Sequence, residues 1–331
     1  MAERLYDVVG IGSAIVDIIA RCDDDFIGRQ GLQKGTMRLI DAAEAERLYG
    51  EMGPGVETSG GTIPNSCAGL ASFGGKAAFI GKVARDQMGE VFTHDIRAVG
   101  VTFQTAPAEN SAPTARCLIL VTPDGERTMN TFLGAATELT SRELDPALIG
   151  AGKVVYLEGY SFDMPAAKQA FYDAAEIARA AGTTVALSLS DPFCVERHRA
   201  DFLVFIRRGV DLVFANEREV LSLYETSDFD AACRALAVDC KLAAVTRSAK
   251  GSVILSGGEA VSVAAAPVER VVDTTGAGDL YASGFLFGHA RGMDLATSGK
   301  LGSLAAVEII SHIGPRPEAS LASLAKAQGL I

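Results

Sequence analysis

The sequence predicts an α/β fold with a mostly parallel central sheet, helices on both faces, and a small β unit set apart from it. Three observations carry that expectation. Short apolar, β-rich runs alternate with longer Ala-rich runs along most of the 331 residues. The short runs are apolar almost throughout rather than at every second residue, the pattern of strands buried on both faces. Two further β-rich segments follow one strand with another and have no helical run between them.

Taken in order, the first strand is expected at Tyr6–Ile11, then a helix over Pro64–Phe73, a strand at Ala77–Lys82 and a helix over Gln87–Val99. The strand Val154–Glu158 precedes a helix over Met164–Ala181, and Thr184–Leu189 precedes one over Val195–Arg207. Leu212–Phe214 leads into helices over Glu217–Tyr224 and Phe229–Val238, and Leu242–Thr246 is the next strand. After Gly257-Gly258 more strands are expected, then two long helices over Ala277–Arg291 and Leu295–Ser311. Such alternation argues for parallel strands with helical crossovers. Residues 14–41 carry strand-like runs at Ile15–Ala20 and Thr36–Ile40 joined by a polar bridge. Residues 114–134 read as a hairpin, Ala115–Thr122 and Arg127–Leu133, because Pro123-Asp124-Gly125-Glu126 is a strong turn signal. Lacking helix partners, these strands should make a separate small sheet, either a lid over a site or an edge extension. Without a low-complexity linker or internal repeat, residues 1–331 read as a single domain.

Composition narrows the function. A formal net charge of −11 argues against a nucleic-acid or anionic-membrane surface. Six cysteines at 22, 67, 117, 194, 233 and 240 form no Cys-x-x-Cys pair, so reduced thiols are expected rather than zinc or disulfides. Met1-Ala2-Glu3-Arg4 lacks a leader layout, and no 18-residue uncharged apolar stretch exists, so a cytoplasmic protein that spans no membrane is expected.

The most informative stretch is Asp273-Thr274-Thr275-Gly276-Ala277-Gly278-Asp279, which runs directly into an apolar helix. Gly276, Ala277 and Gly278 let main-chain N–H groups approach an anion closely. They stand where a helix begins, and its first N–H groups have no internal partner and carry partial positive charge. A phosphate binds well there. Asp279, one turn on, can take a proton from a hydroxyl attacking that phosphate. The plainer reading is a tight strand-to-helix turn with a dipole-compensating carboxylate.

Other candidates are weaker alone. Gly10-Ile11-Gly12 leaves a strand, but Ile15 stands where a dinucleotide fingerprint needs its third glycine, and there is no P-loop. Asp17 at a strand end could accept hydrogen bonds from vicinal sugar hydroxyls, or merely cap. In Ser59-Gly60-Gly61-Thr62-Ile63-Pro64-Asn65 the glycines allow close ligand approach, Asn65 offers a donor and an acceptor, and Pro64 starts a helix. Asn216-Glu217-Arg218-Glu219 is a charged helix start whose Glu219 could orient the waters of a hard divalent cation.

Together these motifs resemble the PfkB (ribokinase-like) carbohydrate and nucleoside kinases, and most of all their adenosine kinase branch. The Asp273–Asp279 stretch resembles the family's C-terminal signature, and Gly60-Gly61-x-x-x-Asn65 the N-terminal one. Val16-Asp17-Ile18, Tyr156-Leu157-Glu158-Gly159-Tyr160 and Leu187–Phe193 resemble the branch. The resemblance implies a ribokinase-like fold with a lid at 14–41 and 114–134. It also implies Asp279 as catalytic base and Gly276, Ala277 and Gly278 as anion hole. Substrate contacts would come from Ser13, Asp17, Gly60, Gly61 and Asn65, with Arg127 reaching the transferring phosphate unless it is a solvated edge charge. ATP contacts would come from Asn216, Thr246, Ser248, Gly251, Thr275 and Gly278. Mg²⁺ would sit near Glu219 through water, and K⁺ by the Ser311-His312-Ile313-Gly314 segment, where His312 has no evident partner. Met37, Leu39, Leu133 and Phe162 are candidate walls for a purine. Ser13 stands where adenosine kinases usually carry Asn, and Ser248 where the family usually has Gly. The expected activity is ATP-dependent phosphorylation of a nucleoside 5′-hydroxyl, adenosine to AMP, in purine salvage. A ribose- or fructose-type sugar kinase, an inosine/guanosine kinase, and a catalytically silent metabolite-binding regulator stay open, as does monomer against homodimer.

Overall fold

The computed structural model describes residues 4–331, so Met1–Glu3 of the opening stretch lie outside it. The first strands are β1 (Tyr6–Ile11), β2 (Ile15–Arg21), β3 (Met37–Leu39), β4 (Gly55–Gly60), β5 (Ala77–Ile80), β6 (Thr102–Phe103), β7 (Ala115–Val121) and β8 (Arg127–Phe132). They are followed by β9 (Gly152–Glu158), β10 (Thr184–Ser188), β11 (Leu212–Asn216), β12 (Leu242–Thr246), β13 (Ser252–Ser256) and β14 (Glu259–Val263). Interleaved with them are α1 (Asp24–Arg29), α2 (Ala42–Glu51), α3 (Thr62–Ser72), α4 (Gln87–Ala98), α5 (Pro146–Gly150) and α6 (Pro165–Ala181). The rest are α7 (Pro192–Gly209), α8 (Glu217–Leu223), α9 (Phe229–Asp239), α10 (Ala277–Ala290), α11 (Leu295–Ile310) and α12 (Leu321–Ala327).

The large sheet has nine strands in the order β14-β13-β12-β11-β10-β9-β1-β5-β6. From β12 to β6 each neighbouring pair is parallel, and β13 and β14 add an antiparallel edge. Alternate residues of the central strands feed opposite cores, because side chains point to opposite faces at each step. Val8, Phe79, Tyr156 and Phe214 pack with α3, α10 and α11, while Val9, Ala78, Val155 and Val213 pack with α6, α7 and α9. Both faces are therefore covered, which explains the continuous apolar runs.

The smaller sheet has five strands in the order β3-β8-β7-β2-β4. It draws on both segments set apart in the sequence and also on Gly55–Gly60, which the sequence did not reveal. Three expectations change here. The polar bridge between β2 and β3 is partly helical, since Asp23 caps α1 by accepting from Phe26 N at 2.7 Å. The sheet does have a helix partner, α2, packed on β7 and β8. Only one strand follows Gly257-Gly258, because β13 precedes that turn as the other arm of its hairpin.

Helix α10 positions the site. Leu280 to Gly288 are all buried, so the helix is apolar on every side and lies between α3, α11 and the large sheet. Its neighbours come close because the contact residues are small. A Cβ added at Gly284 would lie 2.3 Å from Leu301 O, and one at Gly69 of α3 would lie 2.5 Å from Leu280 Cδ1. Among the described residues no helix is long and apolar enough to cross a membrane.

Gly284→Ala should therefore lower unfolding free energy by about 1–3 kcal/mol through overpacking. Urea unfolding followed by far-UV circular dichroism checks this, and an unchanged midpoint would mean that α10 and α11 are free to separate.

Candidate active site

Residues Thr274 to Asp279 all line one cavity of about 1230 Å³. Gly276 caps α10 with φ +76°, a left-handed conformation that a side chain resists, so glycine is required for the chain to turn into the helix there. A Cβ built on Gly278 meets nothing within 4 Å, leaving room beside the first helical N–H groups. Asp279 lies in the first turn and is enclosed, and burial pushes its carboxyl up to about 6. Asn65 Nδ2 donates to Asp279 Oδ2 at 3.0 Å, and Ser66 Oγ donates to Asp279 O at 3.0 Å. Two glycine-rich patches more than 200 residues apart thus meet at one carboxylate.

Asp17 lies on β2 and reaches the same cavity. Gly60, on the neighbouring strand β4, lies diagonally across from it, and a Cβ there would sit 2.2 Å from Asp17 Oδ2, so glycine makes the space that the carboxylate fills. Burial pushes Asp17 up to about 7, against the pull of Arg316 and Arg127. Ser13 and Gly61 also line the cavity, whereas Gly60 lies behind its wall. Ser13 N donates to Glu158 Oε1 at 2.8 Å. Glu158 is a lining residue that motif reading quoted without giving it a role. It is 1 % exposed, burial pushes it up to about 7, and its Oε2 has no partner. Asn65 Oδ1 is likewise buried and unpaired. Two acceptors therefore await a donor-bearing ligand.

On the opposite side Asn216, Glu219 and Thr246 line the cavity. Asn216 caps α8 in a reciprocal capping box: its Oδ1 accepts from Glu219 N at 2.9 Å, and Glu219 Oε2 accepts from Asn216 N at 2.9 Å. Ser248 and Gly251 are not on the cavity wall. They shape the turn into β13, where a Cβ on Gly251 would lie 2.0 Å from Val263 O. Met37, Leu39 and Leu133 do line the cavity. Phe162 does not, because it is buried under α7 and stacks on Phe202 with centroids 4.4 Å apart.

Two arginines stand behind this acidic wall, and neither Arg127 nor Arg316 lines the cavity. Arg127 is buried rather than a solvated edge charge, and it pairs with Asp273, which also accepts from Thr275 N at 3.1 Å. Arg316, which sequence reading missed, donates to Pro64 O at 2.8 Å and to Ser59 Oγ at 2.6 Å. Its only sequence signal was a lone cation between Pro315 and Pro317. His312 does have a partner, Glu308, at 3.2 Å.

A carboxylate in the first turn of a helix, beside open space at the helix N-terminus, suits phosphoryl transfer. The model of the pfkB family of carbohydrate kinases matches residues 35–320. The chain belongs to the pfkB family. An adenosine kinase of Sinorhizobium meliloti of known crystal structure is 57 % identical, with 98 % of this chain and 99 % of that one aligned at a TM-score of 0.91. A probable sugar kinase from Rhizobium etli is 53 % identical over 99 % of this chain and 100 % of that one, at 0.93. Saccharomyces cerevisiae adenosine kinase is 26 % identical over 330 residues, 93 % of this chain and 96 % of that protein. As a pfkB member with the ribokinase-like fold, the protein is a phosphotransferase acting on a hydroxyl group, and its family implies ATP as donor.

Glu158 offers a test of the buried charge. Its folded value of about 7 lies above the ordinary 4.5, so the folded protein holds the extra proton in that window and loses stability as pH rises through it. Glu158→Gln removes the buried charge and keeps the acceptor for Ser13 N. Its Tm relative to wild type should be higher at pH 8 than at pH 5 by about 2 °C or more. An equal difference at both pH values in thermal melts would mean that the carboxylate is not strained by burial.

Proposed function

We propose that the protein transfers the γ-phosphoryl group of ATP to the 5′-hydroxyl of adenosine, giving AMP and ADP. The observation that carries this reading is the Asn65–Asp279 contact beside the open N-terminus of α10, inside a cavity large enough for a nucleoside and a nucleotide together. The 57 % identical adenosine kinase supports the acceptor.

In this reading Asp279 takes the hydroxyl proton as the O5′–Pγ bond forms and the bond from Pγ to the β,γ-bridging oxygen of ADP breaks. The main-chain N–H groups of Gly276, Ala277 and Gly278 receive the charge on the phosphoryl oxygens. Asp17 and Glu158 accept from the ribose hydroxyls, with Ser13, Gly61 and Asn65 completing that side. Gly60 acts through Asp17. Met37, Leu39 and Leu133 wall the purine. Asn216, Thr246, Thr275 and Gly278 take the nucleotide, and Ser248 and Gly251 set the turn beside Thr246. Arg127 holds the anion loop through Asp273 and lies within the same electrostatic field as Asp17. The smaller sheet is a lid that excludes water from the reacting phosphoryl group. Residues 1–331 act as one kinase domain.

Mg²⁺ fits this wall only as an ion carried by ATP. Among the described residues no group of three or more His, Cys, Asp or Glu side chains could ligate a metal. Glu219 also already accepts two hydrogen bonds from Asn216. Mg²⁺ retains waters readily, so Glu219 would act through one of them. The ion would supply charge neutralisation at the β- and γ-phosphates. A K⁺ ion would draw on main-chain carbonyls near Ser311–Gly314, where His312 lies 3.2 Å from Glu308. The same reading makes the protein a cytoplasmic enzyme of purine salvage.

Asp279→Asn should lower kcat by about 10²–10⁴-fold with little change in KM. Activity within a few-fold of wild type would remove Asp279 as base. A panel of adenosine, inosine, guanosine, ribose and fructose with ATP, read by ADP release, tests the acceptor. Adenosine should give the highest kcat/KM, while preference for a free sugar would favour the reading suggested by the 53 % identical probable sugar kinase. Binding without turnover across the panel would instead identify a silent metabolite-binding regulator.

A further inference from the structure

Arg316 stands on the loop after α11, and its hydrogen bonds go to no carboxylate. They go to Ser59 O, Ser59 Oγ and Pro64 O, and its Nε has no partner. Those acceptors bracket Gly60, which makes room for Asp17, and Gly61, which passes close to Ser13 O, and they adjoin Asn65, which holds Asp279. Ser59 is fixed from behind, since Asp95 of α4 accepts from Ser59 N at 2.8 Å. The guanidinium is thus clamped on the loop between the two ligand-facing carboxylates, and its charge is felt by Asp95, Asp17 and Asp279.

The groups facing Asp279 are few. Asn65 and Ser66 come from α3, Asp17 from β2, Tyr156 and Glu158 from β9, Tyr160 from the turn after it, and Glu219 from α8. Arg316 is the one cation among these neighbours. We propose that Arg316 is a positioning residue of the transfer step: clamped on Ser59 and Pro64, beside the Asn65 that holds Asp279, its guanidinium favours the charged form of Asp279 as base. This rests on Asp279 being the base. A purely structural clamp would lower activity alike at every pH. A cation that holds a base ionised acts mainly on the acid limb, because an opposite charge nearby favours the charged form of a carboxylate.

The experiment is the pH dependence, from 5 to 9, of kcat and kcat/KM for adenosine with saturating MgATP. Wild type, R316M, R316K and S59A are compared. In R316M the acid limb should move up by about one pH unit, a loss of up to about tenfold near pH 6 that closes towards pH 9. R316K keeps the charge and S59A keeps the guanidinium, so both should leave the limb in place. If R316M does not fold, R316Q, which can still donate to Ser59 or Pro64, carries the same expectation. An unmoved limb in the neutral variants, a uniform loss at all pH values, or an equal shift in R316K would each overturn the proposal. D279N run alongside separates the two readings. An active D279N removes the base and this proposal with it, whereas an inactive D279N with an unmoved R316M limb overturns only the role of Arg316.

Discussion

The site depends on a helix that cannot move. Because α10 is buried along Leu280–Gly288, a rotation or slide would drive its main chain into that of α11 at Gly284 and Gly302 and its Leu280 and Ser283 side chains into Gly69 of α3. Its N-terminus is therefore fixed by core packing rather than by loop conformation. That suits phosphoryl transfer, where positioning and preorganised electrostatics supply most of the catalysis. Asn65 is fixed in the same way, on a helix packed directly against α10, so the bond to Asp279 joins two rigid elements.

The charge arrangement runs against stability. Asp17, Glu158, Glu219 and Asp279 line one cavity, and burial raises all four above their ordinary range. A raised carboxyl binds its proton more tightly when folded, so each of these groups weakens the fold as pH climbs from its ordinary value towards its folded one. A wall optimised for stability would carry neutral side chains here. The offsetting features are hydrogen bonds from Asn65, Ser13 and Asn216 and the nearby Arg127 and Arg316. Such local cost is expected where a ligand supplies the missing donors.

Much of this was legible in the sequence, for a physical reason. Parallel strands buried on both faces leave long apolar runs, and a helix that begins at an anion site needs small residues in order. The strand positions and the Asp273–Asp279 turn could therefore be read locally. What could not be read depends on distant partners. Glu158 looks like the polar end of an apolar strand until Ser13 closes over it. Arg316 looks like a surface cation until the loop at Ser59 folds against it. Strand β4, Gly-Val-Glu-Thr-Ser-Gly, has two exposed residues at its start and no apolar run, so only its pairing with β2 reveals it. Asp86 is a cap of α4 that accepts from Gly89 N and also ties down Thr114, just before β7.

The smaller sheet and the anion loop are physically joined, and this bears on how acceptor choice couples to chemistry. Arg127 opens β8 and pairs with Asp273, while Asp273 also accepts from Thr275 N in the loop that leads into α10. The sheet that carries Asp17, Met37 and Leu39 thus grips the start of the loop proposed to receive the donor phosphate. Moving that sheet away from the cavity would break a buried ion pair and leave Asp273 enclosed without its cation, which is costly. The sheet and loop are therefore best held while the sheet is down on the cavity. An acceptor that fills the Met37–Leu39 side keeps it there, so an acceptor too small to do so should be penalised in turnover as well as in binding.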